Sequence, residues 1–296
     1  MKTLNNAAGR ISYRTADLGE VSIFYRETNA HEKPTLLLLH GFPSSSHMFR
    51  HLLGQLGKDF HLIAPDYPGF GYSTSPTPDQ FEYTFDHMAE LMEQFIDHLG
   101  LKNIFLYMQD YGGPIGFRIA TKRPELIKGL IIQNANAYMQ GLGPAVQEIG
   151  ALTQANDTEA LEAAVNFMMS YDGIKDQYVY GAPSLETISP DSYTHDHFMM
   201  EQPGRKAIQK ILFDNYSSNF PKYPQWQEYL RDNLPPTLIA WGKNDVIFPG
   251  AGALAYKEDL PEAEIHLFNG GHFLLEEYGI EIGKLISAFI DKNSVQ

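Results

Sequence analysis

Short apolar segments, each followed by glycine or polar residues, recur along this chain and alternate with helical patterns. Six of them are typical of buried strands that end in loops: residues 35–42, 61–69, 103–110, 127–135, 235–242 and 263–270. Strands that alternate with helices form a parallel sheet with right-handed crossovers. The sequence therefore predicts an α/β fold with a mostly parallel central sheet and flanking helices.

The segments around these strands complete the predicted architecture. Apolar residues recur at three- and four-residue steps over residues 85–99 and predict an amphipathic helix. A similar pattern predicts a closing helix over residues 278–290. Residues 13–27 predict a two-stranded hairpin at the edge of the sheet, which turns at residues 17–19.

The strand pattern is interrupted between residues 137 and 233. This segment is rich in Tyr, Met, Gln and Asn and carries helical patches, whereas strands resume after it. A chain of 296 residues fits one large domain with an insertion at least as well as two average domains. We therefore predict an α/β core made of residues 1–136 and 234–296, with a helical subdomain inserted over residues 137–233.

Charge and cysteine content exclude several classes of function. The chain has 22 Lys and Arg residues against 36 Asp and Glu residues, and this net charge of −14 opposes phosphate backbones and anionic membrane surfaces. The absence of cysteine excludes disulfides, thiolate metal sites and a cysteine nucleophile. The N-terminus lacks the apolar run of a signal peptide, and no segment approaches the ~20 apolar residues of a membrane span. We expect a cytoplasmic protein that binds neither nucleic acid nor membranes.

Polar residues follow three of the predicted strands at the edge where parallel sheets bind ligands. Asp110 follows the third strand and precedes two glycines, the small residues that a sharp strand-to-helix turn needs. Asp245 follows the fifth predicted strand, and His272 follows the sixth. Asp110 alone also fits a helix N-cap. The three residues together predict a functional site.

A glycine turn also follows the first of the six predicted strands. Gly41, in the sequence His-Gly-Phe-Pro, allows the backbone to turn so that N–H groups point into the site. We expect the N–H groups of Phe42 and Tyr111 to form an oxyanion hole. We interpret His40 as a structural partner of this loop and His272 as the better base. The chain contains no G-x-S-x-G motif, which excludes a serine nucleophile at the strand-to-helix turn.

Five segments of the sequence are landmarks of a known family: His40-Gly41-Phe42-Pro43, Asp66-Tyr67-Pro68-Gly69-Phe70-Gly71-Tyr72-Ser73, Gln109-Asp110-Tyr111-Gly112-Gly113, Gly242-Lys243-Asn244-Asp245 and Gly271-His272-Phe273. With them the chain resembles, over nearly all its length, the aspartate-nucleophile branch of the α/β-hydrolase fold, which contains epoxide hydrolases and haloalkane dehalogenases. The resemblance implies Asp110 as nucleophile, His272 as the base for a water, and Asp245 as the group that orients His272. It also implies that residues 137–233 form a helical cap over the site.

An aspartate nucleophile limits the bonds that such a protein cleaves. A carboxylate attacks an sp³ carbon and forms an alkyl-enzyme ester, which water activated by His272 then hydrolyses. A serine in the same place would form an ether that water could not release, so an ester or peptide hydrolase is disfavoured. We predict a hydrolase without a cofactor that acts on a small apolar electrophile and water.

The leaving group distinguishes an epoxide from a haloalkane. Epoxide opening creates an alkoxide, which family members stabilise with tyrosine hydroxyls of the cap; Tyr216 resembles that tyrosine, and Tyr171 is a second candidate. Halide departure uses N–H donors instead, and Trp226 is the candidate for an indole donor. Tyr111 stands where dehalogenases have tryptophan. An epoxide hydrolase that forms vicinal diols is therefore the first prediction, and a haloalkane dehalogenase is the alternative.

Other expectations concern metals, assembly and the absence of catalysis. The segment His195-Asp196-His197 has no further ligands nearby in the sequence and is not expected to bind a metal ion. A homodimer is compatible with the sequence. Because the fold also hosts receptors and inactive binding proteins, a non-catalytic ligand-binding protein is the alternative from another class.

Overall fold

The computed structural model describes residues 9–294, and these residues form one eight-stranded sheet flanked by helices. The strands are Ile11–Asp17 (β1), Ser22–Thr28 (β2), Thr35–Leu39 (β3), His61–Pro65 (β4), Ile104–Gln109 (β5), Ile127–Gln133 (β6), Thr237–Gly242 (β7) and Glu264–Phe268 (β8). Their spatial order is β1-β2-β4-β3-β5-β6-β7-β8. All neighbouring pairs from β4 through β8 are parallel, which confirms the predicted mostly parallel α/β sheet.

The hairpin predicted at the edge of the sheet is β1 and β2. These strands pair antiparallel from Ile11 and Thr28 to Asp17 and Ser22. The turn between them contains Gly19 with a φ of +84°, a conformation that side chains other than glycine rarely adopt. β2 in turn pairs antiparallel with β4, so the hairpin extends the parallel part of the sheet.

The central strands are mostly apolar and are buried along nearly their whole length. β4, β5 and β7 are buried at every residue, and β3 is buried at all but its first. A strand covered on both faces has no solvent side and therefore shows a continuous apolar run rather than alternation. This is the pattern by which the sequence indicated these strands.

The α-helices are Arg50–Leu56 (α1), Phe85–His98 (α2), Gly112–Lys122 (α3), Pro144–Ala155 (α4), Thr158–Met168 (α5), Tyr171–Val179 (α6), Pro190–Met200 (α7), Arg205–Asn215 (α8), Tyr223–Asn233 (α9), Gly250–Ala255 (α10) and Leu274–Ser294 (α11). α2 agrees with the predicted amphipathic helix, and the Thr84 hydroxyl caps it by accepting the His87 N–H. α11 begins earlier and ends later than predicted, with an irregular residue at Tyr278. No helix among residues 9–294 is long and apolar enough to cross a bilayer.

Residues 137–233 lie between β6 and β7 and contain α4 to α9 without a strand; we call them the helical insertion. Polar contacts join the insertion to the core. Arg50 of α1 forms an ion pair with Glu276 of α11 at 2.8 Å and donates to the Ser192 hydroxyl of α7 at 3.0 Å. Arg118 of α3 donates to the Asn219 side-chain oxygen at 2.7 Å. The predicted division into a core and a separate subdomain stays a prediction.

Candidate active site

Asp110 lies at the sharp turn between β5 and α3. Its φ of +48° is in the left-handed region, which Asp and Asn tolerate better than most residues. Small neighbours make the turn sterically feasible. A Cβ on Gly112 would lie 2.3 Å from the Leu39 carbonyl oxygen, and a Cβ on Gly41 would lie 2.3 Å from the Asp110 Cβ. Glycine at both positions therefore lets the turn pack against β3 and the loop after it.

Two backbone N–H groups hold the Asp110 carboxylate. The Phe42 N–H donates to Oδ1 at 2.7 Å, and the Tyr111 N–H also donates to the carboxylate. Burial raises the pKa of Asp110 to about 6, although the charge of His272 and the two N–H groups act in the opposite direction. The structure thus places the two N–H groups of the predicted oxyanion hole on the carboxylate itself.

His272 lies between the two buried aspartates. Its Nδ1 is 2.7 Å from Asp245 Oδ2, and its Nε2 is 3.8 Å from Asp110 Oδ2. Burial lowers the pKa of His272, but the charge and hydrogen bond of Asp245 and the charge of Asp110 together raise it above its ordinary value. The three residues that the sequence predicted as one functional site are in contact.

Asn134 is a part of the site that sequence analysis missed. Its amide nitrogen donates to Asp245 Oδ2 at 2.7 Å, and its side-chain oxygen accepts the Gly242 N–H at 3.0 Å. The Ile247 N–H donates to the other Asp245 oxygen, Oδ1, at 2.7 Å. These donors fix the Asp245 carboxylate beside His272. In the sequence, the position of this polar residue directly after β6 could have indicated that it belongs to the site.

Gln109, the last residue of β5, contacts the imidazole from the other side. Its amide nitrogen is 3.0 Å from His272 Nε2, and its side chain is fully buried. Because Asp245 accepts the Nδ1 proton, neutral His272 offers a lone pair at Nε2, to which Gln109 donates. In the sequence, Gln109 is simply the neighbour of Asp110. Side chains of adjacent strand residues usually point to opposite faces of the sheet, so the sequence did not indicate that Gln109 contacts the site.

His40 has the structural role that we expected. Its Nδ1 is 3.1 Å from the Gly41 carbonyl oxygen, and its Nε2 accepts the Tyr67 N–H at 3.3 Å. Burial lowers the pKa of His40 to about 4, so the ring is neutral at physiological pH. It therefore joins the loop after β3 to the loop after β4.

Two adjacent cavities lie beside these residues. The inner pocket, about 60 Å³, is lined by Asp110 and mostly apolar residues: Phe42, Tyr111, Ala145, Val146, Ile149, Met168, Gln177, Phe213, Tyr216, Ile247 and Phe248. The outer pocket, about 430 Å³, shares several of these residues and reaches His272 and Asp245. Helices α4 to α6 of the insertion contribute to both pockets. An apolar pocket with a few polar groups at its base is typical of a small-molecule site.

Two tyrosines line the inner pocket beside Asp110. The Tyr111 hydroxyl is buried and lacks a hydrogen-bond partner within the described part of the chain. The Tyr216 hydroxyl donates to the Tyr223 hydroxyl, and its ring packs 5.8 Å from the Tyr111 ring. Burial raises the pKa of both phenols well above the ordinary value; the next cause is the charge of Asp110 for Tyr111 and the interaction with Tyr223 for Tyr216. Both therefore keep their protons at neutral pH: the Tyr111 O–H has no acceptor in the described part of the chain, and the Tyr216 O–H would have to turn from Tyr223 to donate into the pocket.

Two other predicted site residues lie elsewhere. Tyr171 is exposed at the start of α6, where its ring packs against Tyr193 and His197. Trp226 is fully buried and stacks on Phe117 at 5.3 Å, because its large ring anchors α9 on α3. Neither residue lines the inner or the outer pocket, which corrects the expectation that they contact the substrate.

The segment His195-Asp196-His197 lies within α7. His195 stacks on His47 of the core with ring centroids 3.9 Å apart. Asp196 is buried and accepts a hydrogen bond from the Tyr178 hydroxyl. The segment therefore contributes to the contact between the insertion and the core.

The chain is similar to curated hydrolytic and decarboxylating proteins. It is 39% identical over 278 residues to the uncharacterized hydrolase YNR064C of Saccharomyces cerevisiae, with 92% of this chain and 94% of that protein covered. It is 29% identical over 271 residues to a cis-3-alkyl-4-alkyloxetan-2-one decarboxylase of Shewanella oneidensis, covering 86% and 81%. It is 28% identical over 262 residues to haloalkane dehalogenase 2 of Mycobacterium tuberculosis, covering 82% and 83%.

A family model provides the most general comparison. The model of the alpha/beta hydrolase fold matches residues 34–278, which include the first parallel strand and all three residues of the buried site. The match extends through the helical insertion as well as the core. Together with the yeast relative, it shows that this chain is a hydrolase of the α/β-hydrolase fold family.

Proposed function

We propose that this hydrolase opens epoxides to vicinal diols, with Asp110 as the nucleophile. The observation that carries the proposal is the position of two protonated phenols, Tyr111 and Tyr216, in the same apolar pocket as the Asp110 carboxylate. Epoxide opening produces an alkoxide and needs a hydrogen-bond donor or acid beside it. A buried carboxylate is also poorly solvated and therefore a stronger nucleophile than one in water.

In the first step, Asp110 Oδ2 attacks a ring carbon, and the C–O bond of that carbon breaks. The oxygen that leaves takes a proton from a tyrosine hydroxyl, so the product is a neutral hydroxyalkyl ester. Oδ1, which already accepts the Phe42 N–H, becomes the carbonyl oxygen of this ester. The same N–H groups therefore face the atom that carries negative charge in the second step.

In the second step, the Gln109 amide releases the Nε2 lone pair of His272, and water attacks the ester carbon and gives one proton to Nε2. The tetrahedral intermediate carries its charge on Oδ1 and collapses with cleavage of the bond to the alkoxy oxygen. That oxygen takes up the proton from His272, and the second proton of the water restores the tyrosine. Asp245 stabilises the imidazolium that forms in between, from 2.7 Å away.

A haloalkane dehalogenase is the second candidate, because a relative of that name aligns over most of the chain. Halide release needs N–H donors beside the carboxylate. The chain contains two tryptophans, Trp226 and Trp241. Trp226 lies away from both pockets, and the Trp241 indole donates to the Phe248 carbonyl at 2.7 Å. Neither indole N–H is directed into the two pockets, and this favours an epoxide over a haloalkane as the substrate.

The relative named for oxetan-2-one decarboxylation adds support from chemistry. Its named substrate is a four-membered ring that contains oxygen. An epoxide is also a strained ring that contains oxygen, and its opening releases an oxygen that remains attached to the product. A site with phenol donors rather than halide donors suits such leaving groups. This likeness supports the proposal that the substrate is a strained ring that contains oxygen.

Intact-protein mass spectrometry on a His272→Gln variant tests the proposal. Without the base, the ester from the first step should accumulate, and peptide mapping should locate it on Asp110. The variant is exposed separately to an epoxide and to a haloalkane with the same carbon skeleton. We expect an adduct equal to the whole mass of the epoxide. The control, His266→Gln, changes an exposed histidine that contacts Glu264, and it should accumulate no adduct.

Other outcomes of this experiment would contradict the proposal. An adduct that equals the haloalkane without its halogen, with no epoxide adduct, would establish dehalogenation instead. If neither reagent modifies a correctly folded variant across a panel of both classes, the chain is a ligand-binding protein.

The proposed mechanism also predicts how turnover depends on pH. Ester hydrolysis requires neutral His272, whose pKa is raised, and ester formation requires ionised Asp110, whose pKa is raised to about 6. Lowering the pH protonates both groups, so both steps should slow on the acid side, with a plateau at higher pH. Initial rates of diol formation between about pH 5 and pH 9 measure this profile. A rate that stays constant over the range contradicts the assignment of His272 as base.

A further inference from the structure

Three side chains that are able to bind a metal ion converge at the other end of the sheet. Glu27 lies near the end of β2, His31 lies in the turn that follows, and His61 is the first residue of β4. The catalytic residues follow the carboxyl ends of the parallel strands, whereas His61 begins such a strand. The cluster is therefore separated from the active site by the length of the sheet. Glu27 and His61 are 34 positions apart, so no local sequence motif revealed it.

The distances within this cluster are close to those of a metal site. Glu27 Oε1 is 2.9 Å from His61 Nε2 and 3.6 Å from His31 Nδ1. One ligand atom from each residue lies within 4.8 Å of the other two. A tetrahedral ion with bonds of about 2.0–2.1 Å holds its ligand atoms roughly 3.3 Å apart. Small side-chain rotations would therefore bring the three atoms around one ion.

Groups outside the cluster orient its members. Arg14 Nε is 2.9 Å from Glu27 Oε2 and leaves Oε1 directed toward the two histidines. His61 Nδ1 is 3.3 Å from the Thr35 hydroxyl, so the ring has a partner on the side opposite the cluster. Such partners fix the ring orientation and tautomer of metal-binding histidines. Burial raises the pKa of Glu27, but His61, Arg14 and His31 together lower it below the ordinary value, and the carboxylate is ionised.

Burial differs among the three residues in a way that suits ion binding. Glu27 and His61 are buried, whereas about half of the His31 side chain is exposed. An ion would enter from the His31 side and complete its coordination with water there. Two imidazoles and one carboxylate match Zn²⁺ and similar transition metals, whereas Mg²⁺ and Ca²⁺ prefer oxygen ligands alone.

We propose that Glu27, His31 and His61 form a binding site for a divalent transition-metal ion such as Zn²⁺. The ion would connect β2, the turn after it and β4, and so fasten the hairpin edge to the parallel part of the sheet. Binding to the folded state alone stabilises that state. The site is structural and independent of the hydrolytic reaction, so it does not depend on the proposed function.

Calorimetric titration with Zn²⁺ of protein treated with a chelator tests this site. We expect one ion per chain for the wild type and an affinity at least about tenfold weaker for His31→Ala. His31 is half exposed, so its replacement should leave the fold intact. His266→Ala is the matched control, because His266 contacts Glu264 at 2.7 Å in an exposed pair outside the three-ligand cluster. The control should bind Zn²⁺ as the wild type does.

A second readout is thermal unfolding with and without Zn²⁺. The ion should raise the melting temperature of the wild type and of His266→Ala, but not that of His31→Ala or Glu27→Gln. The proposal is overturned if the wild type shows no saturable binding, or if His31→Ala binds Zn²⁺ as tightly as the wild type. Equal weakening by His266→Ala would also overturn it, since the binding would then be distributed over surface histidines.

Discussion

Replacement of Asp110 by asparagine should abolish turnover, with a loss of roughly four orders of magnitude or more. A neutral amide is a far weaker nucleophile than a carboxylate, so no ester forms. The fold should be preserved, because asparagine tolerates the φ of +48° at this turn. Its side-chain oxygen is also able to accept the Phe42 N–H that now bonds to Oδ1. Stability should not fall, since the change removes a buried charge.

Single-turnover assays and circular dichroism together measure this effect. The variant should keep the wild-type spectrum and bind an unreactive amide analogue of the substrate with similar affinity. Asp97→Asn is the control: it changes an exposed aspartate of α2 that pairs with Arg123, and its activity should match the wild type. If Asp110→Asn forms product at a rate near that of the wild type, the nucleophile is another residue.

Removal of both phenol hydroxyls should slow ester formation from epoxides by roughly two to four orders of magnitude. Tyr111→Phe and Tyr216→Phe each remove one donor beside Asp110, and the double variant leaves the alkoxide without a tyrosine at the inner pocket. The Tyr111 hydroxyl is buried without a partner, so its loss should leave stability unchanged or raise it. Tyr216→Phe also loses the hydrogen bond to Tyr223 and should be slightly destabilising.

The rate of adduct formation in the His272→Gln background isolates this step. In this background, the Tyr111→Phe/Tyr216→Phe double variant is compared with Tyr171→Phe. Tyr171 belongs to the insertion, and its exposed side chain lies outside both pockets. We expect the control to react as fast as its parent. An undiminished rate for the double variant would show that the tyrosines do not stabilise the leaving group. A haloalkane should be far less sensitive to these changes, because halide needs no proton.

The sequence contained enough information to predict the parallel sheet and the three residues brought into contact at its edge. Continuous apolar runs indicated strands covered on both faces, and their alternation with helices set the direction of the crossovers. Parallel strands end at the same edge, so Asp110, Asp245 and His272 had to approach one another despite their separation along the chain. Composition and local pattern were sufficient because each prediction depended on burial and chain direction alone.

The roles of the remaining site residues depended on side-chain contacts between distant segments. Gln109 at the end of β5 contacts the imidazole, and Asn134 directly after β6 donates to Asp245. The helices of the insertion have apolar faces that could be predicted, but their angles to the core decide which tyrosines face the pocket. Tyr216 lines it, whereas Tyr171 is directed to solvent.

By itself, then, the sequence determined the fold, the edge that carries the site and the three residues that meet there, because periodicity and strand direction are local properties of the chain. The sequence had named Tyr216 through the resemblance, but the tertiary structure alone decided its pairing with Tyr111 beside Asp110 and the cluster of Glu27, His31 and His61. Both arise where segments far apart in sequence pack together, and packing depends on the combined shapes of all the surfaces in contact.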